Sequence, residues 1–318
     1  MLHKVLWTGG FDSTFRLCQL VHNNEEIQPI YIVHPFRQSL DYELEAQHNI
    51  MEFLKTVPSK AVIHSIVYVD VKTIPYSEKI HNTIMRVRKK YPIGMQYDWL
   101  ASYAQTNPYC ELCHEGFVRR RGALGNFLEE QGVLSSDSNL NIMLDQKESS
   151  EDALLLFGNY YFPLIHLNNL SMIELLYQWN MSEIFSLIRF CDSKYKDACG
   201  VCSCCNGKFS VGAKEFQFTP LAKKHHLIAT LLKDIVTEQK PNDKKFLSDF
   251  YVDYIKNKLV GDFEAKHYQI SLPYLTYISG ILMSLDKLSD ETLTEVFKQV
   301  KTFEELCLLA FAETKKNV

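Results

Sequence analysis

Cys191, Cys199, Cys202 and Cys205 crowd into one short stretch, CDSKYKDACGVCSCCNGKF. Four thiolates, three of them set two residues apart, match the tetrahedral coordination of Zn2+ by sulfur alone. A chain with such a spacing must wrap its backbone around one point, with Gly200 and Gly207 easing the turns. Four sulfurs leave no open position for water, so the spacing predicts a structural zinc centre. In model peptides such a centre contributes on the order of 10–16 kcal/mol of folding free energy at neutral pH. The chain has nine cysteines, an odd number, and their clustering favours metal over disulfides. Cys204 breaks the spacing and reads as a bystander. Cys18 and Cys307 sit in apolar helical contexts as core residues.

The first half of the chain alternates strand and helix. Lys4 to Trp7 reads as a strand, and from Asp12 the apolar spacing turns helical, with Leu17, Leu20 and Val21 on one side. Asn23-Asn24 ends that helix. Pro29–Val33 reads as a second strand, 44–54 as a second helix and Ala61–Val71 as a third strand. The second and third strands are apolar on both faces, which predicts parallel strands covered by helices on both sides. This is the pattern of a doubly wound α/β domain. Helices are expected over 98–105, 116–131 and 171–189, a loop over 135–152, and a strand over 153–157. Beyond Gly212 only helical segments follow, such as 225–238 and 246–259. The expected organisation is an α/β domain over 1–212, carrying the cysteine segment, and an all-helical domain over 213–318.

Between the first strand and first helix lies Trp7-Thr8-Gly9-Gly10-Phe11-Asp12-Ser13-Thr14. Adjacent glycines let the backbone approach an anion closely, and a helix N-terminus adds amide donors and a positive dipole end. Thr8, Ser13 and Thr14 bring hydroxyls, and Asp12 suits a helix cap or a Mg2+ ligand. No lysine follows the glycines as it does in a P-loop, so a γ-phosphate grip is not expected. His34 and Arg37 follow the second strand, at the sheet edge where such folds present ligand contacts. Arg37 suits a carboxylate or phosphate. Gln96 and Tyr97 precede a helix, as candidate contacts to a base. Cys110-Glu111-Leu112-Cys113-His114 reads first as local structure, with a second metal site or a contribution to substrate binding as the alternative.

The 318 residues carry a net charge of −4, with 46% apolar and 23% charged residues, which excludes wholesale disorder. The balance argues against a nucleic-acid-holding protein, despite the basic runs 86–90 and 119–121. No apolar run approaches the roughly 18 residues of a membrane span. The first, Val5 to Trp7, is too short for a signal peptide, and a cytoplasmic protein without membrane partners is expected.

The Thr-Gly-Gly-Phe-Asp-Ser run resembles the pyrophosphate loop of the PP-loop ATP pyrophosphatases. Together with the four-cysteine segment and Tyr160-Tyr161-Phe162-Pro163-Leu164, it resembles the 7-cyano-7-deazaguanine synthase family, over most of 1–105 and 153–212. The chain departs from that family at Gly94-Met95-Gln96, where a Gly-Arg-Asn is common, and at Lys208, where an arginine is usual. The first cysteine spacing is also one residue shorter. The resemblance implies a PP-loop fold binding ATP and Mg2+ through residues 7–14, His34 and Arg37, with Asp12 and Ser13 catalytic. It further implies adenylation of 7-carboxy-7-deazaguanine, then displacement of AMP by ammonia to an amide and nitrile, as in queuosine biosynthesis. An alternative is an antiphage-defence enzyme that joins the deazaguanine to a protein amine. A second alternative modifies tRNA, and a third is a zinc scaffold without catalysis. A homodimer stays open.

Overall fold

The computed structural model describes residues 1–114, 122–257 and 262–316. The basic run 119–121, the start of the helix expected from 116 and the end of the one expected to 259 lie outside them. The chain divides into two compact units, Met1–Arg189 and Phe190 onward.

The first unit is mixed α/β. Its elements are β1 (Leu2–Leu6), α1 (Phe11–His22), β2 (Glu26–Val33), α2 (Leu40–Thr56), β3 (Val62–Ile63) and β4 (Val67–Asp70). There follow α3 (Glu78–Val87), α4 (Gln96–Thr106), β5 (Cys110–Glu111), α5 (Gly122–Gln131), β6 (Leu134–Ser136), β7 (Ile142–Leu144), α6 (Glu151–Phe157), β8 (Tyr160–Tyr161) and α7 (Asn169–Gln178). The main sheet runs β3-β2-β1-β5-β8, with β4 also on β2, and every pairing is parallel. On one face, Ile30 and Ile32 join a core with Ile84, Leu100, Phe127 and Phe157 from α3 to α6. Tyr31 points the other way and bonds to Glu43 on α2. Helices therefore cover both faces of the central strands.

Several expectations change. The strand expected over 61–71 is two short pieces. Ile27 pairs with Ile63 but Ile30 with Val67, so the outer strand carries one extra residue, a bulge. It is an edge, with Val62 52% and Tyr68 53% exposed, not a strand covered on both faces. The segment 153–157 is helical: Ser150 Oγ caps it by accepting from Ala153 N at 3.2 Å, and Glu151 and Asp152 occupy its first turn. The 135–152 loop contains an antiparallel hairpin, β6–β7, whose turn closes on the Asp137 carboxylate. The helix expected to reach 189 stops at Gln178, followed by Asn180 at φ 56° and a 3-10 turn over Ser182–Ser186.

The second unit is helical: α8 (Ser203–Val211), α9 (Pro220–Leu231), α10 (Phe246–Asn257), α11 (Asp262–Tyr268), α12 (Leu272–Leu285), α13 (Asp290–Gln299) and α14 (Phe303–Lys316). The boundary falls at 189/190 rather than 212/213, because the cysteines pack with the helices. Cys191, Cys199, Cys202 and Cys205 share one core with Ile228, Phe250, Leu282 and Phe303. No helix among the described residues is long and apolar enough to cross a membrane.

Candidate active site and metal centre

The loop after β1 is shaped by two glycines. Gly9 takes φ +80°, which disfavours any other residue, and a Cβ there would just touch Ala46 Cβ and Glu43 O at 3.4 Å, so the turn seats directly on α2. Gln47 Nε2 donates to Trp7 O at 3.1 Å and Arg189 N to Gly9 O at 2.8 Å, pinning the loop from both sides. Gly10 is the N-cap of α1 and brings no side-chain cap, and Asp12 lies in the first turn. The N-cap residue therefore supplies no side-chain oxygen to the amides at the head of this helix.

Beside the loop is a cavity of about 200 Å³. Trp7 and Thr8, just past β1, line it with Ser13 of α1, Ile32 of β2, and Leu112 and Cys113 just past β5. Arg37, Gln96, Tyr97 and Trp99 close its sides. From β1 the chain builds outward to β2 and β3, then crosses back to place β5 on the other flank of β1. The cavity thus lies at the carboxyl ends of the parallel strands where strand order reverses, the usual ligand crevice of open α/β sheets.

Not every expected residue faces it. Thr14 is fully buried and its Oγ1 accepts the Trp7 indole N–H at 2.9 Å, so that hydroxyl holds the loop instead of lining the cavity. Phe11 is a core residue, stacked on Phe185. His34 packs edge-on to Phe36 and is not among the lining residues. Arg37 lines the cavity, but its Nε donates to Glu43 Oε1 at 2.6 Å. Glu43 also accepts from Ser39 Oγ at 2.6 Å and Tyr31 Oη at 2.8 Å, a buried cluster that orients Arg37. Sequence reasoning missed Glu43 and Trp99, and gave Cys113 a binding role only as the lesser alternative for its stretch. A glutamate in the first turn of α2 gives no local sign of facing inward, and Trp99 and Cys113 reach the cavity through tertiary packing.

The Cys110–His114 stretch contains β5 itself. Glu111 receives Arg16 Nε and Nη2 at 2.7 and 2.8 Å and lies 2.7 Å from His3 Nδ1, tying β5 to β1 and α1. Burial alone raises the Glu111 carboxyl, but the hydrogen bonds from Arg16 and His3 outweigh it and hold it below the ordinary glutamate value. Burial pushes the Cys113 thiol well up, so it faces the cavity as a neutral group. In the basic run 86–90, Arg86 pairs with Asp152 at 2.5 Å and Lys90 with Glu130 at 2.6 Å, an ordinary charged surface.

In the second unit the four expected sulfurs converge, all within 4.8 Å of one another. Cys191 and Cys202 are 3.9 Å apart, Cys199 and Cys205 4.0 Å. A tetrahedron with Zn–S of about 2.3 Å has edges of about 3.8 Å, so the donor set could hold zinc. Backbone amides of Cys199, Cys202 and Cys205 point at the sulfurs of Cys191, Cys199 and Cys202 at 3.3–3.4 Å. Cys202 caps α8, whose N-terminal dipole favours thiolate. Hydrogen bonding led by Cys199 draws the Cys191 thiol down to about 6, and donation led by Cys191 holds Cys202 far below the usual range. Cys204 is exposed and outside the group. Gly200 takes φ +82°, where an added Cβ would lie 2.0 Å from Ala222 O. Gly207 sits inside α8 with open space around it, and eases no turn.

No family model matches the chain, and no curated protein matches it.

Proposed function

We propose that the first unit is an ATP-dependent adenylating enzyme of the 7-cyano-7-deazaguanine synthase type, a PP-loop enzyme acting on a deazaguanine carboxylate. The observation that carries this reading is the cavity at the strand-order reversal, flanked by the Gly9–Gly10 turn and the head of α1. At about 200 Å³ it takes a base-sized part of a ligand, smaller than a site for a whole drug-sized molecule. Tyr97 and Trp99 offer rings to a flat heterocycle, and Gln96 an amide to its edge. The loop amides and the hydroxyls of Thr8 and Ser13 suit the departing pyrophosphate.

A carboxylate oxygen is a poor leaving group and AMP a good one. In the proposed step the carboxylate attacks the α-phosphorus, the α–β anhydride bond breaks and pyrophosphate leaves. A nitrogen nucleophile then adds to the acyl carbon, losing a proton as AMP departs to give the amide. A second adenylation at the amide oxygen, again releasing pyrophosphate, followed by loss of AMP and of both protons of the amide nitrogen, gives the nitrile. One carboxylate plus phosphate oxygens is a usual donor set for Mg2+, and Asp12 would supply the carboxylate. When bound, Mg2+ offsets negative charge on the phosphates.

The nitrogen donor is ammonia in the first reading. The helical unit and the Gly94-Met95-Gln96 departure favour a second, in which a protein amine is the acceptor. Incubation of the zinc-loaded protein with ATP, Mg2+, 7-carboxy-7-deazaguanine and ammonium, read by pyrophosphate release and mass spectrometry, tests both. A free amide or nitrile supports the first, and a deazaguanine mass increment on a protein the second. Pyrophosphate release that depends on tRNA would replace both, and none under any condition would leave a non-catalytic scaffold. Asp12→Ala should lower pyrophosphate release by roughly 100-fold or more, with zinc content unchanged. Full activity in that variant would refute the assignment of the loop.

A further inference from the structure

The helical unit holds another cavity, of about 510 Å³, which the adenylation reading leaves unused. Its volume lies in the ordinary range for small-molecule sites. One wall is the stretch from Tyr195 to Cys199, ahead of the remaining sulfur ligands. The others come from α9, α10 and α12, through Leu221, Ile255 and Met283. Rings of Tyr195 and Tyr254 complete a mostly apolar lining.

Among the polar residues of this lining, His225 and Asp286 stand next to each other. Asp286 accepts the Tyr251 hydroxyl on Oδ1 at 2.9 Å, which fixes the carboxylate plane. Its Oδ2 lies 3.8 Å from His225 Nε2, and the two side chains are 25% and 12% exposed. His225 Nδ1 is 3.1 Å from the Cys199 carbonyl oxygen. A carbonyl only accepts, so Nδ1 donates to it and Nε2 is the ring nitrogen left facing the Asp286 carboxylate. At 3.8 Å the carboxylate and ring nitrogen are too far apart to bond each other. One donor nitrogen placed about 2.9 Å from each satisfies both. Lys224, next to His225 in sequence, is occupied elsewhere, its Nζ donating to the carbonyls of Asp286 and Leu288 at 3.1 and 2.8 Å. Lys196 and Asp197 also line the cavity and bring one charge of each sign.

We propose that this cavity binds an organic amine, its ammonium held between Asp286 and His225 and its apolar body against Tyr195, Tyr254, Leu221, Ile255 and Met283. An organic anion is disfavoured, because it would set its charge against the Asp286 carboxylate. A neutral ligand of the same shape forgoes the charge-assisted hydrogen bond, which is about twice as strong as a neutral one. This inference stands apart from the adenylation reading and needs no ATP.

The test is calorimetric titration of the zinc-loaded full chain with tryptamine, the neutral alcohol tryptophol and the anion indole-3-propionate. Tryptamine is expected to bind, tryptophol at least tenfold more weakly, and the acid more weakly still. Asp286→Asn should weaken tryptamine at least tenfold and narrow its preference over tryptophol. Met283→Trp, which fills the cavity from an exposed position, should abolish binding with zinc content and helicity intact. No heat with millimolar tryptamine, equal affinity for the three probes, or unchanged affinity in Met283→Trp would each overturn the proposal. Failure here leaves pyrophosphate release untouched, so the two readings fail separately.

Discussion

Replacing Gly200 with alanine isolates the geometry of the cysteine segment in one methyl group. At φ +82° an L-residue loses about 1–2 kcal/mol to left-handed strain. The new Cβ would also meet Ala222 O at 2.0 Å and Ala222 C at 2.7 Å, backbone atoms of α9 that cannot swing aside as a side-chain end can. Forcing a methyl into packed structure costs about 1–3 kcal/mol more, for a total of about 2–5 kcal/mol. At about 3–4 °C per kcal/mol for a unit of this size, the melting midpoint should fall by on the order of 6–20 °C. Gly207→Ala is the control. It adds the same methyl seven residues further on, inside α8, where nothing lies within 4 Å. Relief of glycine's backbone entropy should stabilise that variant by about 0.5–1 kcal/mol. The assay is thermal unfolding of both zinc-loaded variants by circular dichroism, with released zinc followed by a metal indicator. If Gly200→Ala melts no lower than Gly207→Ala, the packing of this segment against α9 is wrong.

Chelating the metal from the zinc-loaded protein should melt the helical unit, because its cysteines are buried in the same core as α9 to α14. Hydrogen exchange should then rise in the second unit while the parallel sheet keeps its protection. Glu111→Gln should cost about 3–5 kcal/mol, read as the urea midpoint at pH 7, by leaving Arg16 without its bidentate partner. The native Glu111 pKa is depressed, so its contribution is complete above the unfolded value of about 4.3 and is lost as pH falls through the lower folded value. The glutamine variant should lack that acid-side loss in urea titrations below pH 4.5. Glu43→Gln should destabilise by about 1–3 kcal/mol and weaken ATP-dependent pyrophosphate release, since Arg37 loses the charge that orients it.

How much of this was legible before folding depends on the range of the signal. The strand–glycine–helix corner and the four-cysteine spacing are local codes, in which backbone freedom at Gly9 and ligand intervals from 191 to 205 act on adjacent residues. Both were readable because each signal lies in neighbouring residues of the chain. The strands β5 and β8 are two residues each, too short for any alternation to register, yet they complete the sheet beside β1. The 153–157 run is apolar enough for a buried strand, and the Ser150 cap that makes it a helix acts through a single hydrogen bond.

The chain's own order of residues therefore determined the parallel α/β start, the helical end and the identity of the sulfur donors. Only packing in three dimensions decided which hydroxyls turn outward, with Thr14 drawn in by the Trp7 indole while Thr8 and Ser13 line the cavity. It likewise placed Glu43 under Arg37, and assigned the cysteine segment to the helices instead of the sheet. The physical reason is the same in each case. Spacing along a chain encodes which side chains share a face, whereas burial, which sets hydrogen-bond partners and protonation, depends on segments far away in sequence.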